Sequence, residues 1–201
     1  MYIIKQSYEK EIIINKSRFI GIIIPCNDDS KVKDLIKDLQ KKYPKATHYC
    51  YAYIINNKEK SNDDGEPSGT AGRPILEVIK NNNLKDVLIV VIRYFGGIKL
   101  GAGGLVRAYV NASKEVIDKA ELFDVQMHKE YELIMDYSLY DSINYYLSKL
   151  DGKIEDTSFE ESINITYLGN NLKEDEINEI SKGKIKILLK GEKEVYIKVG
   201  S

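Results

Sequence analysis

The sequence predicts an α+β fold in two domains, and the second domain shows the βαββαβ order of a ferredoxin-like fold. Runs of β-branched residues alternate with segments in which apolar residues recur every three or four positions. At 201 residues the chain is long enough for two small domains. The charge also changes sign: residues 1–127 hold 20 Lys and Arg against 16 Asp and Glu, whereas residues 128–201 hold 10 against 15. We therefore expect domains at 1–127 and 128–201.

The first domain is predicted to begin with paired strands at 11–15 and 18–25, because both segments are rich in isoleucine. A helix follows, with apolar residues spaced three and four apart between Val32 and Leu39. Residues 47–55 alternate like a strand and place three tyrosines on one face. We expect that face to pack against a helix.

The rest of this domain contains one irregular segment and three regular ones. Residues 56–73 hold so many turn formers that no regular structure is expected there. Pro74 is well placed in the first turn of a short helix. Residues 84–92 are apolar without alternation, as in a strand buried on both faces. A helix with one buried face is then expected from Leu105 to Ala120.

The second domain shows a more regular alternation of apolar and polar residues. Ser138 and Asp141 form a capping pattern at the start of its first helix. A final strand at 194–199 is expected to extend the sheet as a hairpin. The other predicted elements of this domain are strands at 130–136, 153–159, 162–168 and 185–189, and a second helix at 173–182.

Composition excludes several classes of protein. With 43% hydrophobic and 30% charged residues, the chain is not disordered. No apolar run approaches the roughly 20 residues that cross a bilayer, so we expect no membrane association and a cytoplasmic location. The two cysteines, Cys26 and Cys50, form no disulfide framework. Together with His48 and His128 they lack the spacing of a zinc site, and no metal or cofactor is expected.

Two glycine-rich segments carry the most information about function, since eight of the 14 glycines lie between Gly65 and Gly104. The second segment joins a buried strand to a helix, whose free N–H groups attract anions such as phosphate. Tight packing without a ligand explains these glycines equally well. If an anion or RNA binds here, the expected residues are Arg93, Gly96, Gly97, Lys99, Gly101, Gly103, Gly104 and Arg107.

The first glycine-rich segment is acidic, and its side chains are of types that can hold Mg²⁺. The same residue types are also what tight turns require. In a catalytic alternative, His48 acts as acid or base beside Asp64 and Glu66. The conditional ligand residues are Asp63, Asp64, Glu66, Ser68 and Thr70.

Three motifs, residues 46–53 (ATHYCYAY), 63–72 (DDGEPSGTAG) and 93–109 (RYFGGIKLGAGGLVRAY), together resemble the IMPACT family and its bacterial YigZ branch. The resemblance implies a first domain like domain 2 of ribosomal protein S5. It also implies a second domain similar to domain V of elongation factor G. Eukaryotic IMPACT proteins restrain the translation-initiation kinase that senses uncharged tRNA. A role in translation is thus implied here.

The first functional hypothesis is therefore a non-catalytic regulator or accessory factor of translation. Its basic glycine-rich loop would contact RNA, the ribosome or a translation-related protein. The alternative is a metal-dependent hydrolase or transferase of a small phosphorylated substrate, with Mg²⁺ held by the acidic loop. A pure protein-interaction module, with an exposed apolar patch, is a third possibility. The sequence makes no prediction of oligomeric state.

Overall fold

The computed structural model describes residues 1–200, which form two compact units. Unit 1 comprises Met1–Asp124 together with residues 197–200. Unit 2 comprises Val125–Tyr196. The division falls close to the predicted boundary at 127, but the return of the last residues to unit 1 was not expected from the sequence.

Unit 1 contains a five-stranded antiparallel sheet in the order β2-β3-β6-β4-β5. Before it, the short strand β1 (Tyr2–Ile3) pairs with residues 123 and 124. The elements of this unit are β2 (Tyr8–Ile14), β3 (Ser17–Pro25), α1 (Val32–Lys42), β4 (His48–Ile55), β5 (Lys58–Asn62), α2 (Gly72–Asn81), β6 (Val87–Tyr94) and α3 (Gly101–Lys119).

The central strand β6 separates two hydrophobic cores, because its side chains alternate between them. Val87, Ile89 and Val91 face the core that contains α2 and α3. The intervening residues face the core that contains α1. The tyrosines of β4 belong to the α1 side, so their expected packing against a helix is observed.

One prediction for unit 1 was wrong: residues 56–73 are not wholly irregular, since β5 pairs with β4. The connecting residues Asn56 and Asn57 have φ angles of 49° and 61°. Two consecutive positive φ angles form the tight turn that matches the twist of a hairpin. Every residue of β5 is exposed, so this strand lacks the apolar alternation by which strands are recognised.

The helix α3 begins at Gly101, one turn earlier than the apolar pattern indicates. Its first four residues are Gly101, Ala102, Gly103 and Gly104, which lack large apolar side chains and so carry no periodic signal. Gly101, Gly103 and Gly104 therefore belong to the first turn of α3 rather than to a loop before it.

Unit 2 follows the expected βαββαβ order, and its sheet runs β10-β7-β9-β8. One correction concerns the end of the chain, where a strand and a separate hairpin strand were expected. A single strand runs from Lys186 to Lys198 instead, with Gly191 in its interior. The elements are β7 (Phe123–Met135), α4 (Tyr140–Ser148), β8 (Gly152–Phe159), β9 (Ile163–Gly169), α5 (Glu174–Ser181) and β10 (Lys186–Lys198).

Candidate functional site

A cleft of about 450 Å³ lies in unit 1, where β6 ends and α3 begins. Apolar side chains form much of its wall, and a few polar groups converge on it, which is the usual character of a ligand site. The residues that line it are Thr47, His48, Glu66, Pro67, Arg93, Phe95, Lys99, Leu100, Gly101, Ala102 and Leu105.

Strand register brings the polar residues of the cleft together. His48 on β4 lies directly opposite Arg93 on β6. Residues that are directly opposite on adjacent strands point to the same face of a sheet, here the face covered by α2 and α3. Glu66 reaches the same place from the loop after β5, and its main-chain N–H donates to the carbonyl oxygen of Asp63 at 2.9 Å.

Glu66 and Arg93 form a buried ion pair. The Arg93 Nη1 donates to Oε1 of Glu66 at 2.6 Å, and the two side chains are 6% and 4% exposed. The Tyr109 hydroxyl donates to the same Oε1 at 2.8 Å. A buried carboxylate needs such partners, because its charge has been taken out of water. Arg93 was expected to bind an anion, but its charge is directed at Glu66 instead.

Cys50 lies behind this pair, with its Sγ 3.3 Å from the Tyr109 hydroxyl and 2.9 Å from the carbonyl oxygen of Asp63. Burial raises the pKa of the Cys50 thiol to about 12. Burial, followed by the neighbouring Cys50 and Glu66, likewise raises the pKa of Tyr109 well above its ordinary value. Cys50 is thus a protonated thiol at neutral pH, without the thiolate that nucleophilic catalysis requires.

His48 is held in one orientation. Its Nδ1 lies 2.7 Å from the carbonyl oxygen of Asp64, and a carbonyl can only accept a hydrogen bond. Nδ1 therefore carries a hydrogen, and in the neutral ring Nε2 bears the lone pair. Nε2 lies 3.8 Å from Oε2 of Glu66, which is too long for a hydrogen bond.

The acidic loop has a structural role that differs from the expected metal site. Both oxygens of Asp63 accept backbone N–H groups, from Gly69 at 2.9 Å and from Ala71 and Gly72 at 3.0 and 2.8 Å. Burial acts to raise the pKa of Asp63, but these three hydrogen bonds outweigh it and the pKa is lowered. The carboxylate of Asp64 accepts the N–H of Tyr49 at 2.6 Å.

The conditional ligand residues therefore do not converge on one point. Within residues 1–200, no group of three or more His, Cys, Asp or Glu side chains is arranged to hold a metal ion. Of the five, only Glu66 lines the cleft. The Thr70 hydroxyl donates to the carbonyl oxygen of Pro67 at 2.6 Å, and Ser68 is exposed outside the cleft. Of the catalytic alternative, His48 and Glu66 meet in the cleft and Asp64 does not.

The expected anion-binding residues are also divided. Lys99 and Gly101 line the cleft, together with the buried Arg93. Gly96 packs against the main chain of Lys16, Gly97 is exposed with a φ of 83°, and Arg107 is exposed beyond the lining. Gly103 and Gly104 lie in the first turn of α3.

Among the features of the cleft, the N-terminus of α3 is the one best suited to bind an anion. Its N-cap residue, Leu100, offers no side-chain hydrogen bond, so the first N–H groups of a 19-residue helix lack a side-chain cap.

Sequence reasoning missed the apolar wall and the support beneath it. Phe95, Leu100 and Leu105 border the cleft, and the hydroxyl of Thr47 accepts the N–H of Phe95 at 3.0 Å. Tyr109 was expected on the buried face of α3, which is correct. Its bond to Glu66 joins residues 43 positions apart and has no local sequence signal.

The sequence model of the Impact N-terminal domain family matches residues 15–117, a segment that includes every residue lining the cleft. The chain belongs to the IMPACT family. Relatives of this IMPACT-family chain include YvyE of Bacillus subtilis, 39% identical over 79% of this chain and 71% of that protein. YigZ of Escherichia coli is 32% identical over 73% of this chain and 74% of that protein.

Similarity extends to eukaryotes and to a solved structure. Protein IMPACT of Xenopus laevis is 36% identical, but over 43% of this chain and 30% of that protein. A crystal structure described as that of a hypothetical protein has a TM-score of 0.59 and 28% identity. It covers 94% of this chain and 96% of that chain, so the fold is similar over nearly the whole length.

Proposed function

We propose that this IMPACT-family protein is a cytoplasmic regulator or accessory factor of translation that binds ribosomal or other structured RNA. One observation carries the proposal: the N-terminus of α3 has no side-chain cap, directly follows the exposed Lys99 and has the exposed Arg107 in the next helical turn. Lys99 and Arg107 are exposed, and neither has an ion-pair partner among residues 1–200. Unpaired cations beside free N–H groups are suited to phosphate oxygens. A translation-related protein that presents an acidic surface would be bound by the same groups.

Family membership supports the translational part of this proposal. Protein IMPACT of Xenopus laevis, a eukaryotic member, is similar to 43% of this chain. The strand order β10-β7-β9-β8 of unit 2 supports its assignment to the ferredoxin-like class, similar to domain V of elongation factor G. We assign unit 1 to the class of ribosomal protein S5 domain 2. Both classes occur in proteins of the ribosome or its factors.

The test is co-sedimentation of the full chain with ribosomes over a series of salt concentrations. Binding through phosphate contacts weakens steeply with salt, with a log–log slope of roughly 0.7 to 0.9 per contact. We expect the double variant Lys99→Ala, Arg107→Ala to bind more weakly and to have a slope smaller by about two contacts. Lys33→Ala is the matched control, because Lys33 is an exposed lysine on α1, across the sheet from the cleft.

Two results contradict the proposal. The first is the absence of sedimentation with ribosomes at low salt. The second is sedimentation of the double variant with the affinity and salt dependence of the control.

The second candidate function is hydrolysis of, or transfer from, a small phosphorylated substrate. It is favoured by the meeting of His48 Nε2 and Glu66 Oε2, 3.8 Å apart, in the same cleft as the α3 N-terminus. His48 would act as the acid or base, and any Mg²⁺ would arrive with the substrate phosphate. Release of phosphate from generic phosphomonoesters, dependent on Mg²⁺ and lost in His48→Gln, would support it. Equal rates of phosphate release by the variant and the parent would contradict this second candidate function.

A further inference from the structure

Oε2 of Glu66 and Nε2 of His48 lie 3.8 Å apart in the cleft, and neither atom hydrogen-bonds to a protein group within residues 1–200. Oε1 of Glu66 accepts from Arg93 and Tyr109, but Oε2 forms no hydrogen bond within residues 1–200. The Glu66 side chain is only 4% exposed, but Oε2 itself is not fully buried, so this oxygen is open to the cleft. Across from it, Nε2 of His48 bears a lone pair in the neutral ring, since Nδ1–H donates to the Asp64 carbonyl oxygen and this fixes the tautomer.

The spacing of these acceptors defines the chemistry of the group that fits between them. They lie 3.8 Å apart, so one atom can sit at a hydrogen-bonding distance of about 2.8 Å from both. That atom must donate two hydrogens. A phosphate or carboxylate oxygen cannot do so, whereas a primary ammonium group can, and Oε2 offers it a charge-assisted hydrogen bond although Arg93 already pairs with Oε1. Water also has two hydrogens, and the experiment below separates it from an ammonium ligand.

The remaining walls of the cleft specify the rest of the ligand. Free N–H groups at the start of α3 and the exposed Lys99 favour an anionic group. Between the polar groups, Phe95, Leu100 and Leu105 present apolar surface. A ligand that satisfies all three regions carries an ammonium, an anion and a short apolar body.

We propose that this cleft binds a small zwitterion, of which an apolar α-amino acid is the simplest example. The ammonium donates to Oε2 of Glu66 and to Nε2 of His48, and the anionic group meets the N-terminus of α3 beside Lys99. This inference goes beyond the proposed function, since it assigns a small ligand to the interior of the cleft. RNA contact uses the exposed Lys99 and Arg107 and does not require the small ligand, although both would approach the N-terminus of α3 beside Lys99.

The experiment is a calorimetric titration of the full chain with L-leucine and L-phenylalanine. N-acetyl-leucine removes the ammonium and leucinamide removes the carboxylate, while inorganic phosphate supplies the anion alone. We expect an amino acid to bind, the acetylated compound to bind on the order of tenfold or more weakly because a charged hydrogen bond is lost, and leucinamide to be weakened as well. These comparisons use the unaltered protein, so folding of a variant does not affect them.

Variants provide the second line of evidence. His48→Ala removes one acceptor. It is expected to weaken the binding of leucine more than the binding of N-acetyl-leucine, which lacks the ammonium. Lys99→Ala is expected to weaken the binding of leucine more than the binding of leucinamide, which lacks the carboxylate. Lys33→Ala is again the matched control and should bind as the parent does.

Three results overturn this inference. They are the absence of amino-acid binding at millimolar concentration, equal binding of leucine and N-acetyl-leucine, and binding of phosphate alone. The first two are the results expected if water occupies the position between the acceptors. Ribosome association in any of these cases leaves the proposed function intact. Amino-acid binding without ribosome association removes the proposed function and leaves this inference standing.

Discussion

At the scale of single residues, Asp63 shows how one carboxylate can organise a loop. It accepts N–H groups from Gly69, Ala71 and Gly72, and the last two lie at the start of α2. The N-cap residue of α2 is Ala71, which has no side-chain oxygen. Asp63 therefore satisfies, from eight positions earlier, the N–H groups of the N-cap residue and of the first residue of α2, beside the N2 and N3 groups that a Ser or Asp N-cap usually serves.

Replacing Asp63 with Ala should lower the free energy of unfolding by about 1–2 kcal/mol, the usual cost of losing a helix cap. Urea unfolding followed by circular dichroism at neutral pH measures the difference. Asp64→Ala is a useful comparison, since it removes one backbone hydrogen bond, to Tyr49, rather than three. If Asp63→Ala is no less stable than Asp64→Ala, the capping role of Asp63 is contradicted.

The lowered pKa of Asp63 gives this contribution a definite pH dependence. A carboxyl whose pKa is lower in the folded state stabilises the fold above its unfolded pKa, near 3.9 for Asp, and loses that contribution as pH falls through the folded value. The stability difference between the parent and Asp63→Asn should therefore shrink as the pH is lowered from neutral to about 3. A difference that stays constant with pH would show that ionisation of Asp63 is not involved.

At the scale of elements, the connection between β6 and α3 depends on the close approach of two backbones. A Cβ at Gly96 would lie 2.0 Å from the carbonyl carbon of Lys16, in the turn between β2 and β3. The N–H of Gly96 donates to the Ser17 hydroxyl at 3.1 Å. The loop that carries Phe95 and Lys99 to the cleft is thereby fastened to the neighbouring hairpin.

Gly96→Ala should destabilise unit 1 by about 1–3 kcal/mol, because the added methyl group forces backbone atoms apart. Gly103→Ala is the matched control: nothing lies within 4 Å of its added Cβ, and the site is helical. Alanine there should be neutral or stabilising by up to about 1 kcal/mol. Thermal unfolding of both variants checks the pair, and equal stability of the two would contradict the close packing at Gly96.

At the scale of the whole molecule, each unit has its own hydrophobic core. The cores of unit 1 lie on the two faces of its sheet. The core of unit 2 includes Leu133, Ile143, Ile165 and Ile177, all of them fully buried. No helix within residues 1–200 is both long and apolar enough to span a membrane.

Separate cores predict separate responses to core mutations. Leu133→Ala should destabilise unit 2 by about 2–5 kcal/mol, through lost burial and the cavity left behind. Amide hydrogen exchange should then accelerate in β7, β8 and β9 while β6 keeps its protection. Val90→Ala, on the buried central strand of unit 1, is the complementary variant and should show the opposite pattern. Uniform acceleration across both units in either variant would show that they unfold as one.

Much of the fold could be read from the sequence because it rests on local patterns. A continuous apolar run located the central strand, and apolar periodicity located the helices. Three motifs indicated the family, which the comparisons confirm. The strand β5 was not predicted because all of its residues are exposed. The first turn of α3 was not predicted because it consists of glycine and alanine. Neither segment buries the side chains on which such patterns depend.

The sequence alone determined which residue types were available for chemistry, and the tertiary structure decided which of them meet. The pairing of β4 with β6 brings His48 and Arg93 together, and the loop after β5 brings Glu66 to the same cleft. The same folding turned Asp63 and Asp64 toward backbone N–H groups, away from any shared ligand. The physical reason is that a buried charge must find a partner in space, and its nearest partner in space is seldom its neighbour in sequence.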